Sequence, residues 1–267
     1  MNRYTTLAVV LRRREYSDFD LILTVLSFDY GKQTLIAKSA KKSTKRFPGI
    51  LEPFNELQIA FRPGRRKGMA FLEEATLIKP FGNIRSDFTK TAYASYWVEC
   101  IAIWLEEGQQ RTDLYHLLHF ALSELSDSRF TPEVLSILFQ MRFIGQEGLQ
   151  PVLVRCSCCQ TGLDKVAQQY FCIDLNRGGV VCDQCPPDRQ SHLRLSKGTL
   201  RQLEWVAGGD LAKALRAKFT APAIAEATAF LESFVPYHLG RRLKSLKILQ
   251  QIRGRTSTTT SFPGNQS

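Results

Sequence analysis

Apolar and polar positions alternate with a period of two through the first eighty residues, the signature of half-buried strands. Leu7, Val9 and Leu11 alternate with smaller or polar neighbours, and Leu21, Leu23 and Val25 repeat the pattern. Asp29-Tyr30-Gly31 marks a tight turn into Thr34-Leu35-Ile36-Ala37, which predicts a hairpin. Leu57, Ile59 and Phe61 alternate next and run into Arg62-Pro63-Gly64-Arg65-Arg66-Lys67-Gly68, a loop by its proline and two glycines. Met69 and Phe71 open a fifth strand, with Leu77 and Ile78 trailing. Five short strands in this length suit a small closed barrel such as an OB-fold, and an SH3-like barrel satisfies the same pattern.

The period then changes to that of helices. Ser86 and Asp87 are placed to cap a helix running to about Glu107, with Gly108 as its stop. Leu114, Leu117, Leu118, Ala121, Leu122 and Leu125 form one apolar stripe, and Leu135, Leu138, Phe139 and Phe143 form another behind Thr131-Pro132. Ser196 opens a helix through Leu200, Leu203 and Val206, and Asp210 caps a short segment. A long helix is predicted from Pro222 to about Arg253, kinked or broken at Pro236, which has no N–H to donate. The polar stretch 254–267 is expected to be disordered.

Between the helices the pattern breaks at two cysteine knuckles, Cys156-Ser157-Cys158-Cys159 and Cys182-Asp183-Gln184-Cys185, with 22 residues between them. That stretch reads as a hairpin, with Tyr170-Phe171-Cys172-Ile173, a turn at Asn176-Arg177-Gly178-Gly179, and Val180-Val181. Zn²⁺ prefers four thiolates in a tetrahedron, and a two-residue gap lets both sulfurs of a knuckle face one ion. Cys156, Cys159, Cys182 and Cys185 are the expected ligands of one structural Zn²⁺. An iron–sulfur cluster takes the same donors. A disulfide framework needs an oxidising compartment, and no secretory signal precedes the first strand pattern. Cys100 and Cys172 read as small buried hydrophobes. A catalytic zinc keeps an open position and usually recruits His or carboxylate, whereas four thiolates close the shell.

Composition adds one asymmetry. The net charge of the 267 residues is +11. It is +7 over residues 1–80, −4 over 81–185 and +8 over 186–267. Basic ends around an acidic middle favour a polyanion partner, since each neutralised phosphate releases a counterion. Lys38, Lys41, Lys42, Lys45 and Arg46 form a cationic loop expected to be mobile. Arg62, Arg65, Arg66 and Lys67 sit in a second barrel loop, and the two loops are placed to flank a single-strand groove. Phe47 and Phe54 are nearby stacking candidates, each more at home in a core. Arg241, Arg242, Lys244 and Lys247 give the last helix a basic side opposite Leu239, Leu243, Leu246 and Leu249. Such a helix can also lie on a membrane, but packing on the helical domain is simpler. No apolar run approaches the ~20 residues that span a bilayer.

Catalytic constellations are not legible. His116 and His119 lack a glutamate in metalloprotease spacing, and His192 and His238 stand apart. There is no phosphate-cradling glycine loop ending in Lys-Ser/Thr and no Gly-x-Ser-x-Gly elbow. The chain is expected not to be an enzyme.

Several segments, in order, carry a family resemblance. They are Val10-Leu11 with Tyr16-Ser17-Asp18-Phe19-Asp20, Tyr30-Gly31 before Ile36-Ala37-Lys38-Ser39-Ala40-Lys41, and Leu51-Glu52-Pro53-Phe54. Phe143-Ile144-Gly145-Gln146-Glu147-Gly148-Leu149-Gln150-Pro151 follows, then the knuckles, then Tyr237-His238-Leu239-Gly240-Arg241-Arg242-Leu243-Lys244-Ser245-Leu246. The chain resembles RecO, the bacterial recombination mediators of DNA repair. That resemblance implies an α+β protein: an OB-fold barrel over residues 1–80, a helical domain over 81–253, and a zinc-binding hairpin inserted at 154–188. It further implies a cytoplasmic, nucleoid-associated protein that binds single- and double-stranded DNA and anneals complementary strands. The implied partners are RecR, RecF and the C-terminal tail of single-strand-binding protein, with RecA loading aided indirectly. Ser39 departs from the family pattern, standing where glycine is expected. The competing expectation from a different class is an RNA-binding OB-fold and zinc-ribbon module of RNA processing or translation.

Overall fold

The computed structural model describes residues 3–43, 45–64, 69–127, 130–186 and 193–259. By packing, the chain divides into two compact units, residues 1–127 with 244–267, and residues 128–243.

The first unit begins with five strands, β1 (Tyr4–Glu15), β2 (Leu21–Ser27), β3 (Gly31–Ala37), β4 (Glu56–Arg62) and β5 (Ala70–Lys79). They close in the order β1-β2-β3-β5-β4, with β4 returning antiparallel to β1. The β3–β5 pairing is parallel, through Leu35 with Ala70 and Ile36 with Phe71. This is the closed five-stranded barrel expected of an OB-fold. Leu23, Val25, Leu35, Leu57, Ile59 and Leu72 fill it, all at most 3% exposed.

The faces of β1 differ from the expected alternation. Ala8 and Val10 enter the barrel core, while Leu7 is 38% exposed and Val9 and Leu11 are buried outside the core cluster. A bulge then follows: Val10 pairs with Val25, but Arg12, not Leu11, pairs with Thr24. An extra residue on one strand inverts the facing of everything beyond it.

Helices α1 (Gly82–Arg85), α2 (Phe88–Trp104) and α3 (Thr112–Asp127) follow, and α8 (Lys244–Thr259) joins them from the far end of the chain. Asp87 caps α2, its side chain accepting from the N–H of Thr89 and of Lys90. Tyr93, Trp97, Cys100 and Ile101 are fully buried, in keeping with a helix apolar on most sides. The helix ends at Trp104, three residues short of its expected end at Glu107, and Gly108 lies beyond it at φ +76°. Glu99 of α2 accepts from the backbone N–H of Lys244 and Ser245, holding the start of α8. Helix α8 continues to Thr259, six residues into the segment expected to be disordered, and residues 260–267 lie outside the described residues.

Glu56 of β4 ties this barrel to α3. Its buried carboxylate accepts from Tyr115 Oη at 2.6 Å and lies 3.4 Å from His119 Nε2. The His119 hydrogen bond lowers the Glu56 pKa, against a burial penalty, and Tyr115 adds to the lowering. A lowered folded-state pKa stabilises the fold above the unfolded value, about 4.3, and that contribution is lost as pH falls through the folded pKa. Glu56→Leu strands a buried phenol and is expected to cost about 2 kcal/mol at neutral pH. Urea melts at pH 7 and below pH 4 check it: the gap between variant and wild type should narrow in acid.

The second unit holds α4 (Pro132–Gln146), the cysteine-bearing sheet of β6 (Tyr170–Asp174), β7 (Gly179–Val181) and β8 (Arg194–Ser196), then α5 (Lys197–Ala207), α6 (Leu211–Ala214) and α7 (Ala221–Leu239). Strand β6 is central, antiparallel to both neighbours. Helix α4 packs on α5 and α7. Ser196 caps α5 through the N–H of Thr199, and Asp210 and Thr220 cap α6 and α7.

Pro236 does not break α7. The helix runs through it and ends at Gly240, left-handed at φ +62°, four residues later. A proline so near the end of a helix forfeits a single hydrogen bond, and the left-handed glycine is the stronger stop. Among the described residues no helix is long and apolar enough to cross a membrane.

Candidate metal centre and nucleic-acid interface

The two knuckles converge. The ligand sulfurs of Cys156, Cys159, Cys182 and Cys185 all lie within 4.8 Å of one another. Cys159 Sγ and Cys182 Sγ are 3.7 Å apart, close to the ~3.8 Å edge of a tetrahedron built on metal–sulfur bonds of ~2.3 Å.

Local backbone bonds make each knuckle. The N–H of Gln160 donates to Cys156 O at 2.9 Å, and the N–H of Cys156 to Thr161 O at 2.8 Å. Gln160 takes φ +62° to close that turn. Cys185 N–H returns to Cys182 O at 3.1 Å. Backbone N–H groups of Cys158 and Cys182 both point at Cys156 Sγ, each at 3.4 Å. Such donors suit a thiolate, and thiolate is the form that binds metal.

The sheet brings the knuckles together. Gly179 has no room for a side chain, since a Cβ there would stand 2.4 Å from Ser157 Oγ and 2.5 Å from Val152 O. That close approach lets Ser157 N–H reach Val180 O at 2.7 Å, laying the first knuckle on β7, one residue before the second. Cys156, Val181 and Cys182 form a small buried cluster of their own.

The thiols pull against one another. Hydrogen bonding to Thr161 brings the Cys159 thiol down to about 6. Desolvation, then the neighbouring cysteines, push the Cys185 thiol up. Four thiolates this close coexist comfortably only around a cation, so the donor set fits a metal ion. All seven cysteines are free. Cys100 is fully buried, as expected, whereas Cys172 on β6 is only half-buried, and neither joins the cluster.

The cationic loop after β3 is anchored to the turn between β1 and β2. Ser39 N–H donates to Asp20 Oδ1 at 2.8 Å and Lys41 N–H to Phe19 O at 3.0 Å. Ala40 and Phe47 are buried in the barrel core. Ser39 takes φ +54°, a left-handed position that glycine would adopt without strain. The loop is thus tied to the turn at Ser39 and Lys41 and to the core at Ala40 and Phe47, while Lys38, Lys41, Lys42, Lys45 and Arg46 stay exposed.

The candidate cations differ in what they touch. Lys38 and Arg62 both approach the ring of Phe71, each 5.2 Å from its centroid, and Arg62 also pairs with Glu73 at 2.9 Å. Lys41 pairs with Glu15 at 2.8 Å, which holds that carboxyl below its usual range. Arg46 donates to Lys38 O at 2.8 Å, and Lys45 is exposed. Lys42 Nζ lies 3.3 Å from the centroid of Phe19. Arg65, Arg66 and Lys67, like His192, lie outside the described residues. Arg241 and Arg242 are exposed between α7 and α8, and Lys244 and Lys247 are exposed on the first turns of α8.

Phe47 and Phe54 are 3% and 4% exposed and cannot reach a base. Arg46 stands over the buried Phe47, 4.7 Å from its centroid, but the rings with exposed surface beside the cations are Phe71 and Phe19. Sequence reading passed over both, because their role depends on loops docking across the barrel.

Comparison with known proteins gives one consistent result. Residues 1–81 match the family model described as Recombination protein O N terminal, and residues 85–247 match Recombination protein O C terminal. The chain is 43% identical over 258 residues to the DNA repair protein RecO of Desulfosudis oleivorans, covering 95% of this chain and 99% of that protein. It is 41% identical over 252 residues to the RecO of Desulfatibacillum aliphaticivorans, covering 94% and 98%. To the RecO of Syntrophus aciditrophicus it is 32% identical over 252 residues, covering 94% and 96%.

Proposed function

The chain belongs to the RecO family of DNA repair proteins, and from that premise we propose that it is a non-enzymatic recombination mediator. It binds single- and double-stranded DNA, anneals complementary strands, and helps load RecA on strands coated by single-strand-binding protein. RecR is its proposed partner, with RecF and the tail of single-strand-binding protein as further ones. Its proposed setting is the bacterial cytoplasm, at the nucleoid.

The observation that carries this reading is the anchored loop of residues 38–46, whose exposed cations stand beside aromatic rings on a closed barrel. Cations for phosphate and rings for bases are the two parts of a single-strand-binding surface. We assign DNA contact to Lys38, Lys41, Lys42, Lys45 and Arg46, to Arg62, Arg65, Arg66 and Lys67, and to Arg241, Arg242, Lys244 and Lys247. The proposed DNA-binding domain is the barrel of residues 1–80, followed by the helical domain to residue 253 with the cysteine element at 154–188 set in it.

The four cysteines are proposed to hold one structural Zn²⁺. A closed thiolate shell offers no position for water, so the ion staples the sheet and takes no part in chemistry.

A competition titration tests the DNA assignment against the RNA-binding alternative. Unlabelled DNA should displace a labelled single-stranded DNA at least as well as RNA of matched sequence. Displacement by RNA alone would assign the barrel to RNA.

A further inference from the structure

The turn between β1 and β2 carries two exposed rings, of which only Phe19 lies under an assigned cation, Lys42. Tyr16 is 58% exposed and Phe19 is 41% exposed. The turn that carries them is built. Tyr16 N–H donates to Asp20 O at 3.2 Å, Asp20 N–H to Ser17 Oγ at 3.2 Å, and the cationic loop docks on Phe19 O and the Asp20 carboxylate. The backbone that carries the rings is therefore tied by its own hydrogen bonds and by the docked loop.

The bulge in β1 supplies the second half. Arg12 pairs with Thr24 and Arg14 with Ile22, while Arg13, between them, pairs with the core residue Leu23. Arg13 turns to the side where it meets Glu52, at 2.6 Å. Arg12 and Arg14 are left together on the outer face, both exposed, and Arg12 feels the charge of Arg14 and of the Glu99 carboxylate. Two residues along a strand span about 6.6 Å, so two long guanidinium side chains reach neighbouring phosphates of one backbone.

We propose that Tyr16 and Phe19 read unpaired bases while Arg12 and Arg14 hold the flanking phosphates, so that this hairpin sets the preference for single-stranded over duplex DNA. The step rests on the DNA-binding reading above and adds to it which residues discriminate. Lys42 over Phe19 shows the arrangement in miniature, a cation and a ring side by side, matching the phosphate and the base that one nucleotide offers. A duplex keeps its bases stacked inside and presents only phosphates, so it gains the arginine contacts and not the rings.

The test uses the full chain and fluorescence anisotropy with a labelled single strand and with its duplex. Tyr16→Leu with Phe19→Leu should weaken single-strand binding about tenfold or more. Duplex affinity and the salt dependence should stay as in the wild type. Tyr16→Trp should keep single-strand affinity, since the ring remains. Arg12→Gln with Arg14→Gln should weaken both ligands and flatten the slope of log K against log salt by about 1.4–1.8. Equal losses on single strand and duplex from the aromatic pair, or no loss, would overturn the inference while the DNA-binding reading stands. A wild type that binds neither ligand would overturn both.

Discussion

Cys182→Ser is expected to melt the sheet from Cys156 to Ser196 and to release its metal. Cys182 is 4% exposed, sits 3.7 Å from Cys159 Sγ, and forms the element's own small core with Cys156 and Val181. Strand β7 contributes three pairings and β8 another three, too little to stand alone. In small metal-built elements the binding free energy is folding free energy, on the order of 10 kcal/mol or more for four-coordinate zinc. Serine offers a hard, protonated oxygen where a thiolate is needed. Metal content should fall from one zinc per chain to well below, and limited proteolysis should cut within residues 156–196 while the barrel stays intact. A strong chelator should do the same to the wild type. Retention of one zinc and of proteolytic protection by the serine variant would refute the four-thiolate site.

The second large effect concerns charge. Reversing Lys41, Lys42, Arg65 and Arg66 to glutamate exchanges four cations for four anions along the proposed phosphate path. Each lost phosphate contact removes about 0.7–0.9 from the slope of log K against log salt, so the slope should flatten by about 3. Affinity near physiological salt should fall a hundredfold or more, and equally for all sequences, because phosphate contacts carry no sequence information. Lys42 should account for more of the loss than Lys41, whose ammonium already pairs with Glu15. Unchanged affinity would remove these residues from the DNA face.

Much of this was legible because the patterns concerned are local. A period of two in Leu21-Leu23-Val25 and Leu57-Ile59-Phe61 is written by one buried face, and both strands appear where it put them. The knuckle spacing encodes a thiolate pair, and the four sulfurs converge. What stayed hidden depends on distant partners. The β1 bulge, which turns Arg12 outward, shows only in the pairing with β2. Phe19 meets a cation only because the loop that carries Lys42, about twenty residues on, docks beside it. The grouping of α8 with α2 runs through Glu99 and Ser245, 146 positions apart. Pro236 misled for the opposite reason: a strong local rule gave way to a stronger stop at Gly240.

Mediation of recombination by strand annealing is tested most directly with two complementary oligonucleotides, one carrying a fluorophore and the other a quencher, mixed at low salt with and without the full chain. The predicted result is annealing faster than in buffer, with the acceleration fading as salt rises and lost in the charge-reversed variant. Annealing no faster than in buffer, by a chain that is folded and metal-loaded, would contradict it.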